Sequence, residues 1–435
     1  PGRGYRSAFS HEDEFAEPGY YRVLLKDDHI LAELTVTPRC GFHRYTFPSD
    51  QSGHVILDLE HGIADTPVET YIKIVDSVTV AGYRRSSGWA MNHTIYFYAR
   101  FSKPFSDWNL AEGQQEIEEK SEYKGKKSKI VLSFGLTDQI PLLIKVGISP
   151  VDIEGARKNL EAELPDWDFD RVRRQAKEKW NQILSRIHIK ASDPEAKIKF
   201  YTSLYHALIH PSLFSDVDGR YVGMDGKIHQ SEEPYYTIFS LWDTFRATHP
   251  FWQFVYPEYN EAFVRTMLKK YRKFGQLPMW ELHSNETYCM TGNHSLPVLA
   301  EYIRFGNPDE KTRDLIAEAA IRTSFLNERD MDDYRRYGFI PSDAGSDAVT
   351  KTLEYAYDDY CVAKILEEAL DYTTAEYFRN RSFSYTHLFD STTGFFRGKN
   401  RTGLWVSPFD PVRPSGWGTS DYTEGNAWQY LWFVP

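Results

Sequence analysis

The spacing of apolar residues changes once along this chain of 435 residues, close to residue 150. Before that point, β-branched and aromatic residues gather in short runs bounded by turn-forming residues, as at 30–37, 71–80 and 94–101. Such runs predict strands, and regularly spaced strands without intervening helices favour an antiparallel β-sandwich. After that point, apolar residues recur at steps of three and four, which predicts helices. The chain therefore divides into a sheet part and a helical part.

The helical part alternates with long loops rich in glycine, proline and aromatic residues. We expect helices over residues 169–187, 198–208, 259–274, 296–305, 311–327, 352–370 and 374–389. An array of helical hairpins that closes into a ring places its loops at one mouth. We therefore predict an α+β multidomain fold: a partial β-sandwich over residues 1–150, a helical linker over 151–190, and an incomplete (α/α)6-type toroid over 191–435.

Composition excludes several classes of function. The net charge of −11 repels phosphate backbones, so a nucleic-acid partner is not expected. Three widely spaced cysteines form neither a disulfide framework nor a zinc spacing. No apolar run reaches the length of a membrane span, and any targeting segment is expected outside the given residues. Aromatic residues make up 15% of the chain, which suits a carbohydrate cleft, although core packing accounts for many of them.

Glu424 stands among Tyr422, Trp428 and Tyr430, beside the Gly425-Asn426 pair. A glutamate that aromatic rings shield from water favours its protonated form, which is the form that a general acid needs. We therefore expect Glu424 to be a buried general acid. The alternative is a carboxylate at a helix N-terminus, with Thr423 as its cap.

A second dense segment runs from residue 239 to residue 250. Asp243, between Trp242 and Thr244, is placed to accept hydrogen bonds from two sugar hydroxyls, or else to cap the following helical turn. Arg246 either holds Asp243 ionised or forms a structural ion pair. His249, before a proline, is interpreted as a core histidine.

Three further features stay open at the level of sequence. Trp280 ends an extended loop and either faces a sugar ring or belongs to the core. His294 either caps the helix that follows or lines the cleft. Glu354 and Asp358 lie four residues apart on one helix face, where like charges repel. Either a cation, an arginine or a proton compensates them, or the pair forms a solvated acidic face.

These segments, with their order and spacing, resemble family 92 of the glycoside hydrolases, the calcium-dependent exo-acting α-mannosidases. The resemblance rests on five motifs and covers nearly the whole chain. The motifs are FSLWDTFRATHP at 239–250, GQLPMW at 275–280, SDAVTKTLEYAYDD at 346–359, TGFFR at 393–397 and EGNAWQY at 424–430.

The resemblance implies inverting hydrolysis of terminal α-linked mannose, most often the 1,2 linkage of N-glycans or mannans, by a secreted, periplasmic or cell-surface enzyme. It implies Glu424 as the general acid and Asp243 as a contact of the bound mannose. It also implies Trp242, Trp280, Arg246 and Asn426 as residues of the sugar pocket. Finally, it implies a Ca²⁺ ion that engages sugar hydroxyls, because a hard cation prefers oxygen ligands.

Family members extend further at both ends, so the chain is expected to be truncated. The aspartate base and the calcium ligands are expected after Pro435. Two alternatives to the mannosidase stay open. One is a non-catalytic mannoside-binding protein, and the other is a different toroidal glycosidase or phosphorylase that acts on glucosides.

Overall fold

The structure is a computed structural model that describes residues 4–48, 53–118, 120–135, 140–416, 418 and 420–435. The chain forms two compact units, Pro1–Val222 with Gly226–Thr237, and Gly223–Asp225 with Ile238–Pro435. Within the described residues, no helix combines the length and the apolar character needed to cross a membrane.

Strands dominate the first unit up to residue 150. They are β1 (Glu14–Glu17), β2 (Tyr20–Leu25), β3 (Ile30–Val36), β4 (Cys40–Thr46), β5 (Gly53–Asp58), β6 (Asp65–Asp76), β7 (Thr79–Gly88), β8 (His93–Phe101), β9 (Asp107–Glu112), β10 (Gln115–Ile117), β11 (Glu122–Gly125), β12 (Ser128–Phe134) and β13 (Leu142–Ser149). A 3-10 turn at His11–Asp13 precedes them.

These strands form two antiparallel sheets that share one core. The larger sheet has the order β1-β2-β3-β4-β13-β8-β7-β6-β11, and the smaller has the order β10-β9-β12-β5. Buried residues from both sheets pack in one cluster, to which Ile72, Val80, Phe97, Phe101, Leu110, Ile130, Leu132 and Leu142 belong. The predicted antiparallel sandwich is thereby confirmed.

Strand β12 shows why the sequence folds into this layer. Its residues alternate between buried and half-buried, so that Ile130, Leu132 and Phe134 all point into the core. This period of two is the pattern of a strand with one covered face. In the sheet register, Ile130 stands opposite Leu57 of β5 and Leu110 of β9.

Three helices and four short strands complete the first unit. They are α1 (Ile153–Glu163), α2 (Phe169–Leu184), α3 (Pro194–Ala207), β14 (Ser212–Leu213), β15 (Arg220–Val222), β16 (Ile228–Gln230) and β17 (Tyr236–Thr237). Leu160 of α1 and Phe169 of α2 pack with Phe42 of β4 in a second cluster. The predicted linker 151–190 therefore contributes to the core of this unit, while the predicted domain boundaries stay a prediction.

The second unit consists of helices with short connecting strands. Its elements are β18 (Phe239–Ser240), α4 (Leu241–Thr244), α5 (Thr248–Val255), α6 (Pro257–Phe274), β19 (Trp280–Leu282), β20 (Asn285–Glu286), α7 (Ser295–Phe305), α8 (Glu310–Ser324), α9 (Met331–Tyr337), α10 (Ala348–Glu368), α11 (Tyr372–Arg381), a 3-10 helix (Ser382–Leu388), β21 (Phe389–Asp390), β22 (Phe395–Phe396) and α12 (Ala427–Tyr430). Helix α10 contacts α7, α8, α11 and the 3-10 helix, and it is buried along most of its length.

The fold class, a sheet domain followed by a helical one, is confirmed. Helix α6 ends where the sequence indicates, at Gly275, which adopts the left-handed conformation at φ +89°. One predicted strand is wrong, because residues 71–80 are the end of β6, a turn and the start of β7. The apolar run continues through this hairpin, so hydrophobicity alone does not mark the turn.

Removal of side-chain volume from the sandwich core should destabilise the protein strongly. Ile130 is fully buried, so we expect Ile130→Ala to lower the free energy of unfolding by about 2–5 kcal/mol. Ile56 on β5 is 42% exposed, so the matched Ile56→Ala change should cost about 0.5 kcal/mol. Denaturant unfolding of both variants tests this, and equal losses would contradict the described core.

Candidate active site

The segment that carries Asp243 begins at a strained residue. Ile238 has φ +68°, which is an unfavourable conformation for a β-branched side chain. The chain then forms β18, which pairs with β19 so that Ser240 stands opposite Trp280. Helix α4 follows directly and places Asp243 on its exposed side, where the Ser240 hydroxyl donates a short hydrogen bond to it.

A buried ion pair holds this strand pair in place. Lys270 of α6 lies 2.9 Å from Glu281 of β19, and both side chains are fully buried. Glu281 also accepts hydrogen bonds from the backbone N–H groups of Ile238 and Ser284. A buried pair of this kind tolerates the loss of neither partner. The strained backbone at Ile238 is therefore held by the buried Glu281 carboxylate, which lies about 40 residues away in sequence.

Trp280 belongs to the core, since it is 8% exposed. Its backbone N–H and that of Met279 donate to the buried carboxylate of Glu286. Burial raises the pKa of the Glu286 carboxyl, and these backbone donors act in the opposite direction. The core alternative for Trp280 therefore holds in this chain, and its contact with a sugar stays a prediction.

Glu354 and Asp358, the pair four residues apart, enclose a histidine. His294 lies with Nδ1 3.1 Å from Asp358 and with Nε2 3.4 Å from Glu354, and all three side chains are buried. The backbone N–H of Asn293 also donates to Asp358 at 2.6 Å. We call Glu354, His294 and Asp358 the buried triad. The compensating group expected from the sequence is thus His294, whose role the sequence left open.

The electrostatics of the buried triad favour a charged imidazole. Burial lowers the pKa of His294, but the carboxylates of Asp358 and Glu354 outweigh it and raise that pKa to about 9. His249 shows the contrast, because it is equally buried and hydrogen-bonds only the neutral amide of Asn260. Burial there lowers the pKa to about 4. His249 is therefore a core histidine, as the sequence indicates.

The buried triad contacts the Asp243 segment at two points. The indole N–H of Trp242 donates to Glu354 at 3.0 Å. The ring of Phe245 stacks on the His294 imidazole, with centroids 4.0 Å apart and planes 13° apart. Trp242 and Phe245, which lie on either side of Asp243 in the sequence, are thus both held by residues of the buried triad.

Arg246 does not pair with Asp243. Its guanidinium lies over the ring of Phe433, 4.4 Å from the centroid, and the side chain is exposed. Of the two alternatives for Arg246, an ion pair that holds Asp243 ionised is therefore not found within the described residues. Its place in a sugar pocket stays a prediction.

Glu424 differs from the sequence-based expectation in one important respect. Its side chain is exposed, although Tyr422 and Tyr430 nearby are buried. The expected burial against aromatic rings is therefore wrong for this chain. The reason is the backbone, because Glu424 adopts φ +45° and lies at a corner between the buried residues Thr423 and Gly425.

The corner at Glu424 is held from the start of α10. The Thr423 hydroxyl donates to Asp347 at 2.8 Å, and the Thr423 N–H donates to the Thr350 hydroxyl at 3.0 Å. Asp347 is buried and also accepts the N–H of Gly418. The candidate acid is therefore exposed but rigidly mounted, and Asp347 is a supporting residue that the sequence did not single out.

Asn426 caps the short helix α12. Its side chain accepts hydrogen bonds from the backbone N–H groups of Trp428 and Gln429. The Gln429 side chain in turn accepts a hydrogen bond from the Asn426 N–H. This reciprocal arrangement is a capping box. The structure thus gives Asn426 a helix-capping role beside Glu424, and its predicted contact with sugar stays a prediction.

Asp243 and Glu424 act on a common neighbour. Burial raises the pKa of the Cys289 thiol, and the negative charges of both Glu424 and Asp243 add to this. Cys289 lies in a loop where Tyr288 and Met290 have positive φ. Arg329 fixes that loop by donating to the carbonyls of Met290 and Gly292. Two exposed carboxylates from distant parts of the sequence therefore lie close enough to Cys289 for their charges to affect its thiol.

The described residues do not build a metal centre. No group of three or more histidine, cysteine, aspartate or glutamate side chains in them is arranged to hold an ion. The calcium that the family resemblance implies therefore stays a prediction, with its ligands expected after Pro435.

Two family models match the chain. One, described as the glycosyl hydrolase family 92 catalytic domain, matches residues 155–435. The other, described as the glycosyl hydrolase family 92 N-terminal domain, matches residues 1–149. Together they account for nearly all of the sequence.

Similar solved structures and one curated relative agree with this. The family GH92 alpha-mannosidase BT3965 from Bacteroides thetaiotaomicron, in complex with mannoimidazole, is 35% identical with a TM-score of 0.95, covering 100% of this chain and 59% of that one. The family GH92 inverting mannosidase BT2199 from the same organism is 27% identical with a TM-score of 0.89, covering 98% and 58%. An uncharacterized secreted glycosidase from Arthroderma benhamiae is 24% identical, covering 93% and 53%. The chain thus spans a little over half the length of these relatives.

We expect the charge on His294 to make stability depend on pH. An unfolded chain releases this proton near pH 6.5, whereas the folded pKa is about 9. The folded state therefore holds an extra proton in this window, and the stability present below 6.5 is lost as pH rises through 9. Denaturant unfolding at about pH 6 and about pH 9.5 should differ by up to about 3 kcal/mol.

Two variants isolate the source of this slope. His294→Gln should remove it, whereas His249→Gln should keep it, because His249 is already neutral across the window. An unchanged slope in His294→Gln would show that the imidazole is not charged in the folded protein.

Proposed function

Because the chain belongs to glycosyl hydrolase family 92, we propose that its protein is an exo-acting, inverting α-mannosidase. The proposed substrates are glycans that end in α-linked mannose, in particular the α-1,2 linkage of N-glycans or mannans. The mannosidases that this chain resembles support the reaction class. The linkage is proposed from the family resemblance.

One observation carries the proposal beyond family membership. Asp243 and Glu424 are both exposed, yet each is mounted on buried polar groups of the same helix, α10. Their charges reach the same thiol at Cys289. Fixed carboxylates that remain accessible are suited to hold and to protonate a polar substrate.

The proposed chemistry assigns the two carboxylates different roles. Glu424, in its protonated form, gives its proton to the glycosidic oxygen as the bond from that oxygen to the anomeric carbon breaks. Water attacks the opposite face of the anomeric carbon and gives its proton to a general base. An inverting pair of carboxyl groups stands about 6.5–9.5 Å apart to leave room for this water. The base is proposed to be the aspartate that is expected after Pro435.

Asp243 is proposed to bind the sugar rather than to react. As a carboxylate it accepts hydrogen bonds from two neighbouring hydroxyls, and charge-assisted bonds of this kind are strong and directional. The hydrogen bond that the Ser240 hydroxyl donates to Asp243 is proposed to orient the Asp243 side chain. Trp242, Trp280, Arg246 and Asn426 remain proposed neighbours of the sugar.

The exposure of Glu424 favours a second candidate function. A general acid works best where water is excluded, and this chain leaves the Glu424 side chain exposed. A protein that binds mannosides without cleaving them needs no such exclusion. In a mannosidase, the bound glycan and the rest of the protein must exclude water from the Glu424 side chain. Family membership gives no support to the third possibility, a glucoside-specific enzyme or phosphorylase.

Calcium and secretion are also proposed from the resemblance. Among the described residues, no group of three or more histidine, cysteine, aspartate or glutamate side chains is arranged to hold an ion. No step above passes through a metal, and the proposed ligands lie after Pro435. Secretion, to the cell surface, the periplasm or the medium, is supported by a relative that is named as a secreted glycosidase.

Substitution of Glu424 tests the proposed acid. Glu424→Gln should lower kcat on an α-1,2-linked mannobioside by about 10²–10⁴-fold, because amides do not donate a proton at the required strength. The loss should be much smaller on 2,4-dinitrophenyl α-mannoside, whose leaving group needs no proton. Glu310→Gln, at an exposed position in the first turn of α8, is the matched control. Undiminished hydrolysis of the mannobioside by Glu424→Gln would remove the assignment.

Chelation tests the proposed metal. Dialysis of the whole protein against EDTA should abolish hydrolysis of the α-mannoside, and added Ca²⁺ should restore it, since hard oxygen ligands favour this ion. Calorimetric titration of Ca²⁺ into the chelated protein measures binding independently of activity. Full turnover after chelation would count against calcium.

A further inference from the structure

The buried triad is an unusual arrangement for the interior of a helical unit. Glu354, His294 and Asp358 are each about 1% exposed, and they bring ionisable groups together where water is absent. Such groups are costly to bury and contribute little net stability compared with apolar side chains of similar size. A role in fixing a particular conformation would account for their presence, and the neighbouring contacts indicate which conformation that is.

Helix α4 cannot fix its own orientation. It has four residues, Leu241–Thr244, which is far below the length at which an isolated helix is stable. No side chain caps its N-terminus, because the Ser240 hydroxyl instead contacts Asp243. The direction of Asp243 therefore depends on contacts from outside the helix.

Those outside contacts come from the buried triad. Glu354 accepts the Trp242 indole N–H at 3.0 Å, and the His294 ring stacks on Phe245 at 4.0 Å. Phe245 is 6% exposed, so this stack is itself part of the core. The two contacts hold α4 at its first turn and just past its end.

We propose that Glu354 and His294 are positioning residues that aim Asp243 at the bound sugar. This inference rests on the proposed function, because it assigns Asp243 to sugar binding. Asp358 anchors the His294 ring from the other side, with the Asn293 backbone as a third partner. His294 also lies 3.4 Å from Glu354, so the two side chains that contact the Asp243 segment also contact each other.

Asp359 offers a matched control on the same helix. It is as buried as Glu354, and it pairs with Arg381 at 2.6 Å and accepts the Tyr334 hydroxyl at 2.9 Å. None of these partners belongs to the Asp243 segment. Asp359→Asn therefore removes a buried charge from α10 without touching the proposed positioning contacts.

Kinetics of the whole protein form the first arm of the test. Glu354→Gln and Trp242→Phe should each raise the KM for an α-1,2-linked mannobioside, and the Kd for mannoimidazole, on the order of tenfold. The double variant should be no worse than the more impaired single variant, because Glu354→Gln weakens and Trp242→Phe removes the same hydrogen bond. Asp359→Asn should lower the Tm with KM within about twofold of wild type. Multiplying effects in the double variant, or an equal KM change in Asp359→Asn, would overturn the inference.

Hydrogen–deuterium exchange forms the second arm and needs no substrate. Amides of residues 241–246 should exchange faster in Glu354→Gln than in wild type, while Asp359→Asn should leave them protected. Unchanged exchange in Glu354→Gln would overturn the positioning role even if the protein cleaves mannosides. If the wild-type protein neither binds nor cleaves mannosides, the proposed function is wrong. The exchange result still decides, in that case, whether the buried triad holds α4.

Discussion

The buried charges of helix α10 are the constraint on which the second unit depends. Asp347, at its N-terminus, holds the corner before Glu424, and Glu354 holds Trp242 beside Asp243. One turn further on, Asp358 holds His294, and its neighbour Asp359 holds Arg381. A single helix thereby fixes segments that lie between about 20 and 110 residues away in sequence. Removal of any one of these carboxylates leaves a buried cation or donor without its partner.

Positive backbone φ angles occur at several positions of the segments around the candidate site, as well as elsewhere in the chain. Ile238, Met290, Asp347 and Glu424 all have positive φ, and each lies in a segment that buried polar groups hold. Such conformations persist only where the surrounding structure determines them, and they concentrate at functional sites. The strain therefore agrees with the placement of the candidate site, which the exposure of Asp243 and Glu424 also supports.

The sequence predicts the elements of this fold better than the details of its site. The periods of two and 3.6 are local properties, so the strands and helices follow from them, and Gly275 marks a helix end through its own conformational freedom. The repulsion between Glu354 and Asp358 correctly predicts a compensating group. Its identity as His294 does not follow, because that residue lies about 60 positions away and meets the pair only in the folded unit.

Exposure of Glu424 is the clearest failure of reasoning from neighbouring residues. The aromatic neighbours Tyr422 and Tyr430 are buried, but Glu424 has a backbone φ of +45° and its carboxylate is exposed. That turn depends on Asp347 and Thr350, which the sequence does not connect with residue 423. Local composition therefore indicates candidate residues, whereas distant contacts decide how exposed each side chain is.

A crystal structure of the whole protein with mannoimidazole tests the central claim, that α10 aims Asp243 and Glu424 at one sugar. We expect the Asp243 carboxylate to accept hydrogen bonds from ring hydroxyls, and Glu424 to lie within hydrogen-bond distance of the atom that replaces the glycosidic oxygen. A ligand bound with either carboxylate beyond that distance would contradict it.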